Sequence, residues 1–326
     1  MERILSGMRP TGRLHLGHLV GALSNWVKLQ EQYDCFFMVA DWHALMGEYE
    51  NPSVLSESGI DNVIDWLAAG IDPDKATLFI QSQVPQHLEL HMIFSCLTPL
   101  GWLERCPTYK EQLREIATRN INTYGFLGYP VLQAADILLY KANKVPVGED
   151  QLPHLELTRE ISRRFNSLYK TDVLPEPGAL LTSNPRLLGL DNRKMSKSYN
   201  NTINLSDSPE IIRQKISSMI TDPRRIKLFD NGHPDICNVY SYYSTFIPKV
   251  KEEVYDCCKN ARVGCTECKK KMSEYLIKEL EPFHEKRKQI CSKKSVIMDV
   301  LEQGRVKAVK FASQTIKQVK ESMRIG

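Results

Sequence analysis

Two short strings carry side chains that could act on a phosphate, and about 180 residues separate them. His15 and His18 stand in the string H-L-G-H, and Lys194 and Lys197 stand in the string K-M-S-K-S. Imidazoles beside a helix start can hold a phosphate, and loop lysines can neutralise charge that develops on a phosphate leaving group. Either string alone is short enough to arise by chance, but both in one chain indicate chemistry on a nucleoside triphosphate.

The histidine string lies where a strand-like segment gives way to helical spacing. A short apolar start at residues 3–6 is followed by a loop that contains Pro10 and Gly12, and then by leucines and valines spaced three or four apart. This pattern predicts strand, turn and helix, with His15 and His18 at the helix N-terminus, where unpaired N–H groups suit a phosphate. Gly17 would let a flat base approach the backbone. The alternative is a pair of surface histidines.

The lysine string lies in a polar stretch with little helical or strand periodicity. Lys194 and Lys197 flank Met195 and Ser196 there. A mobile loop of this kind can close over a pyrophosphate leaving group. By itself the string would more simply be a solvated basic loop.

Together with five further segments, the two strings resemble the class I aminoacyl-tRNA synthetases, and most closely the bacterial-type tryptophanyl-tRNA synthetases. The resemblance runs from about Ile4 to the C-terminal helix. The further segments are residues 39–45 (VADWHAL), 79–84 (FIQSQV), 129–140 (YPVLQAADILLY), 145–151 (VPVGEDQ) and 154–159 (HLELTR).

The resemblance implies an α/β fold, a doubly wound parallel sheet with a second, smaller domain that is mostly helical. The chain's own alternation of strand-like and helical segments predicts the same sheet. The expected catalytic domain covers residues 1–190 and 300–326, and residues 191–299 carry the lysine loop and the anticodon-recognition domain. Neither G-x-G-x-x-G nor G-x-x-x-x-G-K-S/T occurs, which disfavours a dinucleotide enzyme or a P-loop NTPase.

The implied reaction has two steps. The carboxylate of tryptophan attacks the α-phosphorus of ATP to give tryptophanyl-adenylate and pyrophosphate, and the tryptophanyl group then passes to tRNA. Because the carboxylate is already a nucleophile, catalysis reduces to alignment and charge stabilisation, with Mg²⁺ carried by the triphosphate. No inserted editing domain is visible, which fits a bulky substrate that binding alone can select.

Site residues follow from the same resemblance. The expected catalytic residues are His15, His18, Lys110, Lys194 and Lys197. The expected ATP-binding residues are Arg9, Thr11, Gly17, His18, Gly148, Asp150, Lys194, Met195, Ser196 and Lys197. The expected tryptophan-binding residues are His43, Gln133, Asp136, Val145, Val147 and Gln151.

Asp136 is the expected acceptor for the indole N–H. Gln133 precedes it by three residues and Tyr140 follows it by four, so that a helix would project the three from one side. The alternative is a capping or surface aspartate, although the apolar neighbours of Asp136 argue against exposure. Arg9 departs from the resemblance, because many relatives carry glutamine there.

Five of the nine cysteines fall between Cys237 and Cys268. A C-x-x-C with further cysteines upstream, in a chain expected to be cytosolic, favours a four-thiolate metal site over disulfides. Zinc is the common occupant of such sites. The C-x6-C-x2-C run of Cys258, Cys265 and Cys268, with Cys237 as fourth ligand, resembles a subset of tryptophanyl-tRNA synthetases that carry a [4Fe-4S] cluster. A [4Fe-4S] cluster, zinc and no metal remain the alternatives, and Cys257 could replace Cys258.

Charge is distributed unevenly along the chain. The first 236 residues hold 24 basic and 28 acidic side chains, whereas residues 237–326 hold 19 basic and 11 acidic ones. A basic C-terminal region suits the phosphates of tRNA, the expected macromolecular partner. No apolar run approaches ~18 residues, so a cytoplasmic protein is expected, without a membrane partner. The family further implies a homodimer.

Two rival functions remain at this point. A tyrosyl-tRNA synthetase would share both strings and the aspartate, although residues 145–151 resemble the tryptophan branch. A non-catalytic paralogue that binds tRNA or tryptophan is the other, although the retained histidines and lysines argue against it.

Overall fold

The computed structural model describes residues 1–106, 123–181 and 187–325, and they form two compact units. The first unit comprises Met1–Gly12, Trp26–Ser183 and Lys293–Gly326, and the second comprises Arg13–Asn25 and Asn184–Ser292. The predicted functional domains, with their limits near residues 190 and 300, stay a prediction.

The first unit is built on a five-stranded parallel sheet. Its strands are paired in the order β3-β2-β1-β4-β5. Strand order therefore reverses between β1 and β4, which makes the sheet doubly wound, as the sequence predicts. The strand bounds are β1 Arg3–Met8, β2 Asp34–Val39, β3 Ala76–Ile80, β4 Lys144–Val147 and β5 Gly178–Leu181.

Composition explains why these segments form inner strands. In β2 every residue from Cys35 to Val39 is buried, and Ile4 and Leu5 of β1 are buried beside it. Continuous apolar runs are typical of parallel strands, because helices cover both faces of the sheet. The register pairs Leu5 with Phe36 and Phe36 with Thr77, and so it aligns the carboxyl ends of the three strands.

Helices cover the sheet of the first unit. The last of them lies against β3 so closely that Gly304 has no room for a β-carbon beside the Leu78 carbonyl. Glycine at that position lets helix and strand backbones touch. The helices of this unit are Ser24–Leu29 (whose first two residues are assigned to the second unit), Asp41–Glu48, Ser53–Ala69, Gln86–Leu97, Leu100–Glu104, Tyr124–Leu127, Tyr129–Leu139, Leu152–Tyr169 and Lys294–Met323.

The second unit is mostly helical, which confirms the prediction for this part of the chain. Buried Ile212 and Ile216 of one helix pack toward Met272 and Leu276 of the longest helix of this unit. Ser208 caps the first of these helices by accepting a hydrogen bond from the Ile211 N–H. The helices are Leu16–His18, continued by a π-helical turn at Leu19–Leu23, and Pro209–Ser218, Asn238–Phe246, Lys251–Lys259 and Cys265–Cys291.

Within the described part of the chain, no helix combines the length and the apolar character that crossing a bilayer requires.

Candidate active site and thiol cluster

A cavity of about 360 Å³ opens in the first unit beside the strands at which the sheet order reverses. Leu5, Ser6 and Gly7 of β1 form part of its wall, and residues 145–147 of β4 form another part. Ligands of doubly wound sheets bind where neighbouring strands lead their connections to opposite faces. The topology therefore provides a binding site at this place.

Every residue predicted to bind tryptophan lines this one cavity. They come from four separate elements and reach it as His43, Gln133, Asp136, Val145, Val147 and Gln151. Arg9, predicted to bind ATP, lines it as well, whereas Thr11, Gly148 and Asp150 do not. Gly148 lies directly beside Asp150, whose Oδ1 leaves no space for a β-carbon.

Asp136 is fully buried at the floor of the cavity and accepts hydrogen bonds from three side chains. His43 Nε2 lies 2.8 Å from its Oδ2, and His87 Nδ1 lies 2.6 Å from its Oδ1. Gln81 Nε2 donates to both oxygens, at 2.9 and 3.0 Å. Burial by itself raises the pKa of Asp136, but the neighbouring histidines lower it to about 2. The cavity therefore presents an ionised acceptor.

His154 links two more side chains of the cavity. Its Nδ1 lies 3.0 Å from Gln151 Oε1, and its Nε2 lies 2.7 Å from the Tyr129 hydroxyl. Burial, with the charge of His43 next, lowers the pKa of His154 to about 4. A neutral imidazole then donates to Gln151 and accepts from Tyr129, which fixes both orientations.

The histidine string lies in the second unit, where the rings of His15 and His18 are 3.8 Å apart. His15 is the N-cap: its Nδ1 accepts from Gly17 N–H, and its own N–H donates to His18 Nδ1. This reciprocal cap explains why the two imidazoles stand together at the helix start, as predicted.

The lysine string lies in the same unit and is held by Asn201. The Asn201 side chain accepts from Ser196 N–H and donates to the Lys194 carbonyl. Met195 is buried, and its Sδ would lie 3.7 Å from a β-carbon on Gly17. The structure therefore brings the two strings together, although Lys194 follows His18 by 176 positions.

Electrostatics connect the two strings as well. Burial and the charge of Lys197 lower the pKa of His15 to about 4. Burial, His15 and Lys197 lower the pKa of His18 well below its usual value. Both imidazoles are therefore neutral near pH 7. Since Nδ1 of each ring accepts a hydrogen bond, the other ring nitrogen carries the proton and can donate to a phosphate.

The low pKa of His15 predicts acid sensitivity. Between the unfolded value near 6.5 and the folded value near 4, the unfolded chain binds more protons, so stability falls as pH falls through this window. At pH 5 the loss from this histidine alone is on the order of 2 kcal/mol relative to pH 7.5. Chemical denaturation of the ligand-free protein at the two pH values measures it. His15→Asn keeps a capping acceptor without a titrating ring, so its acid-induced loss should be smaller by that amount. An equal loss in both proteins would contradict the assignment.

A second cavity, of about 200 Å³, lies in the second unit and is lined by five cysteines. Cys265 and Cys268 lie in the first turn of the longest helix of that unit, and Cys257 and Cys258 lie near the end of the helix before it. Cys237 is the N-cap residue of a third helix. Arg225 Nη1 lies 4.0 Å from Cys265 Sγ. The four predicted ligands thus share one cavity, and Cys257 shares it too.

The thiols influence one another's ionisation. Burial raises the pKa of Cys237 and Cys258, and it raises the pKa of Cys268 to about 12, with further contributions from neighbouring cysteines. In residues 1–106, 123–181 and 187–325, no three His, Cys, Asp or Glu side chains are arranged as a metal site. The thiols therefore share a cavity but do not stand at coordinating distances.

Sequence reasoning missed several polar residues of these sites. Gln81, Tyr129 and His154 lie inside the matching segments, so the resemblance could have indicated them. His87 and Asn201 lie outside those segments, and neither belongs to a pattern that would single it out. Lys110, a predicted catalytic residue, lies outside the described residues.

Comparison with known proteins agrees with this arrangement. Residues 1–281 match the family of class I tRNA synthetases (W and Y). A tryptophan–tRNA ligase from Thermotoga maritima is 49% identical, with 99% of each chain covered. One from Ralstonia nicotianae is 41% identical, over 99% of this chain and 98% of the relative.

Solved structures are similar over the same length. The tryptophanyl-tRNA synthetase from Campylobacter jejuni, crystallised with ADP and tryptophan, superposes with a TM-score of 0.89 at 31% identity. The comparison covers 99% of this chain and all of that one. A tyrosyl-tRNA synthetase from Archaeoglobus fulgidus shares the fold, with a TM-score of 0.68 over 88% of this chain and 90% of that one, at 23% identity.

Proposed function

The chain belongs to the class I tRNA synthetases and, within them, to the bacterial-type tryptophanyl-tRNA synthetases, and from this premise we propose roles for its residues. Its reaction is that of a tryptophan–tRNA ligase: tryptophan is activated with ATP and then joined to tRNA. The observation that supports the roles best is the convergence of all six predicted tryptophan-binding residues on one cavity at the reversal of the sheet order.

Asp136 accepts the indole N–H in our proposal. It is the ionised group at the cavity floor, and Val145 and Val147 offer apolar wall beside it. Gln151, whose amide His154 orients, binds the α-amino group. Arg9 replaces the usual glutamine in the same cavity, and its cationic side chain suits the substrate carboxylate as well as the α-phosphate.

The nucleotide is held by the remaining predicted residues. Gly148 and Asp150 bind the ribose, and Thr11 and Gly17 lie along the nucleotide. His15 and His18 donate hydrogen bonds to the triphosphate. Lys194, Lys197 and Lys110 neutralise the charge that grows on pyrophosphate as it leaves. Met195 and Ser196, which lie between the two loop lysines, also contact the nucleotide. Mg²⁺ enters with ATP, so the protein needs no carboxylate cage for it.

ATP–pyrophosphate exchange tests the assignment of substrate. Exchange should depend on tryptophan and should be absent with tyrosine, because the single ring of tyrosine leaves part of the space for a bicyclic ring unfilled and does not place its donor where the indole N–H lies. Exchange that tyrosine supports equally would contradict the proposed pocket.

We also propose that Cys237, Cys258, Cys265 and Cys268 hold a [4Fe-4S] cluster, with zinc as the alternative occupant. The donor set fits, because four thiols line one cavity. Burial disfavours their thiolate forms, and bound iron or zinc would favour them. Side-chain rotation must close the set, since the thiols stand apart in the structure. Bound there, the cluster would tie three helix ends together through its iron–thiolate bonds.

Metal analysis after anaerobic purification decides the occupant. We expect iron and acid-labile sulfide in equal amounts, with broad visible absorption. Cys258→Ser should lose most of the iron, whereas Cys257→Ser, the matched control on the next residue, should retain it. Stoichiometric zinc without iron would replace the cluster by a zinc site, and a metal-free protein would reject both.

We further propose where the protein binds tRNA and how it assembles. The tRNA binds to the basic second unit, where Lys269, Lys270, Lys286 and Lys288 offer cations to phosphates. The protein works as a cytoplasmic homodimer, and exposed Met92, Leu100 and Tyr124 provide apolar surface for a second copy.

A further inference from the structure

Behind Asp136 lies a chain of buried polar groups that the proposed roles do not use. His87 contacts Asp136 through Nδ1 at 2.6 Å and the Tyr140 hydroxyl through Nε2 at 2.8 Å. Gln81, His87 and Tyr140 are all fully buried, and none of them lines the tryptophan cavity. Two buried polar side chains that contact one carboxylate, with a third bonded behind one of them, require a physical reason.

The ionised carboxylate and the protonated phenol at its two ends orient this chain of hydrogen bonds. An ionised carboxylate only accepts, so His87 Nδ1 carries the proton and donates to Asp136. The phenol of Tyr140 stays protonated, because burial raises its pKa well above the usual value. To a neutral His87, Tyr140 donates at Nε2, and this bond selects the tautomer whose Nδ1 donates to Asp136.

Gln81 fixes the carboxylate from a second side. Its amide nitrogen donates to both oxygens of Asp136, while its own Oε1 finds no hydrogen-bond partner among the described residues. A buried acceptor without a partner is unfavourable, because it has lost its hydrogen bonds to water. The amide keeps this orientation nevertheless, which indicates that the fixed carboxylate is what the arrangement preserves.

Counting acceptor positions shows where a ligand can enter. A carboxylate offers about four positions. His87 and Gln81 occupy those of Oδ1, and Gln81 and His43 occupy those of Oδ2. Of these three donors only His43 lines the cavity. An incoming N–H can therefore replace the N–H of His43 on Oδ2, but it cannot reach the bonds on Oδ1.

We propose that His87 and Tyr140 are positioning residues for indole recognition: they hold Oδ1 of Asp136 so that Oδ2 faces the cavity, where the indole N–H replaces His43. This inference rests on the proposed role of Asp136 as indole acceptor. His43 fills the acceptor in the free enzyme, so the carboxylate keeps its geometry before tryptophan arrives. The positioning residues act on specificity through Asp136 and do not touch the substrate.

The test compares tryptophan with benzothienylalanine, which has the same shape but sulfur in place of the N–H. The ratio of kcat/KM for the two substrates in ATP–pyrophosphate exchange measures the N–H contribution. His87→Leu and Tyr140→Phe should each lower this ratio about 10-fold, the value of one or two displaced hydrogen bonds. His87→Asn, whose amide can donate near the position of Nδ1, should recover part of the ratio. Tyr242→Phe is the control: it also removes a buried hydroxyl, one that donates to the Leu188 carbonyl, and it should leave the ratio unchanged.

Each result has a distinct meaning. If His87→Leu and Tyr140→Phe leave the ratio at its wild-type value, the positioning proposal is wrong, and an equal fall of kcat/KM for both substrates would show that their role is structural. If the wild-type enzyme itself does not distinguish the two substrates, the role of Asp136 fails first, and the inference fails with it.

Discussion

Asp136→Asn should lower kcat/KM for tryptophan in ATP–pyrophosphate exchange by roughly 10³-fold, mainly through KM for tryptophan. The amide has the size of the carboxylate, but its NH₂ group faces donors on His43, His87 and Gln81. One of those donors loses its acceptor. The indole N–H can then donate only to a neutral amide oxygen, where the wild-type enzyme offers an ionised carboxylate.

The measurement separates this loss from general damage. KM for ATP should change little, and benzothienylalanine should lose far less than tryptophan does. Asp65→Asn, which also alters a buried carboxylate of the first unit but lies outside the cavity, is the matched control and should keep normal exchange. Because the pKa of Asp136 is about 2, the effect should be constant between pH 6 and 8. Full activity in Asp136→Asn would contradict the proposed pocket.

Lys197→Met should lower kcat for exchange by about 10²- to 10³-fold, with a smaller change in KM for ATP. The side chain keeps much of its apolar length but loses the charge that would balance departing pyrophosphate. Arg193→Ala is the control in the same loop, because the Arg193 guanidinium already pairs with Asp191 and lies over the Tyr199 ring. It should change kcat only a few-fold.

An independent readout accompanies the kinetic one. The charge of Lys197 is one cause of the low pKa of both His15 and His18. Removing it should raise both pKa values toward the ordinary one, which imidazole titration by NMR would show. Unchanged titration together with normal kcat would place Lys197 away from the phosphate chemistry.

Much of the fold could be predicted from local pattern. Apolar runs such as Cys35–Val39 identify buried parallel strands, because such runs need cover on both faces. The strings around His15 and Lys194, with the segments around Asp136 and Val145, were sufficient to indicate the family and its reaction. Side-chain types and their order along the chain carry this information, and both are properties of the sequence itself.

Tertiary structure decided how these residues are tuned. His87 is 49 residues from Asp136 and Gln81 is 55, so that only packing reveals that both donate to one carboxylate. The ionisation of Asp136, His15 and His154 follows from burial and from neighbours distant in sequence, which no local pattern encodes. The sequence determined which chemical groups the protein has, and folding determined their protonation and orientation, because both depend on contacts between remote segments.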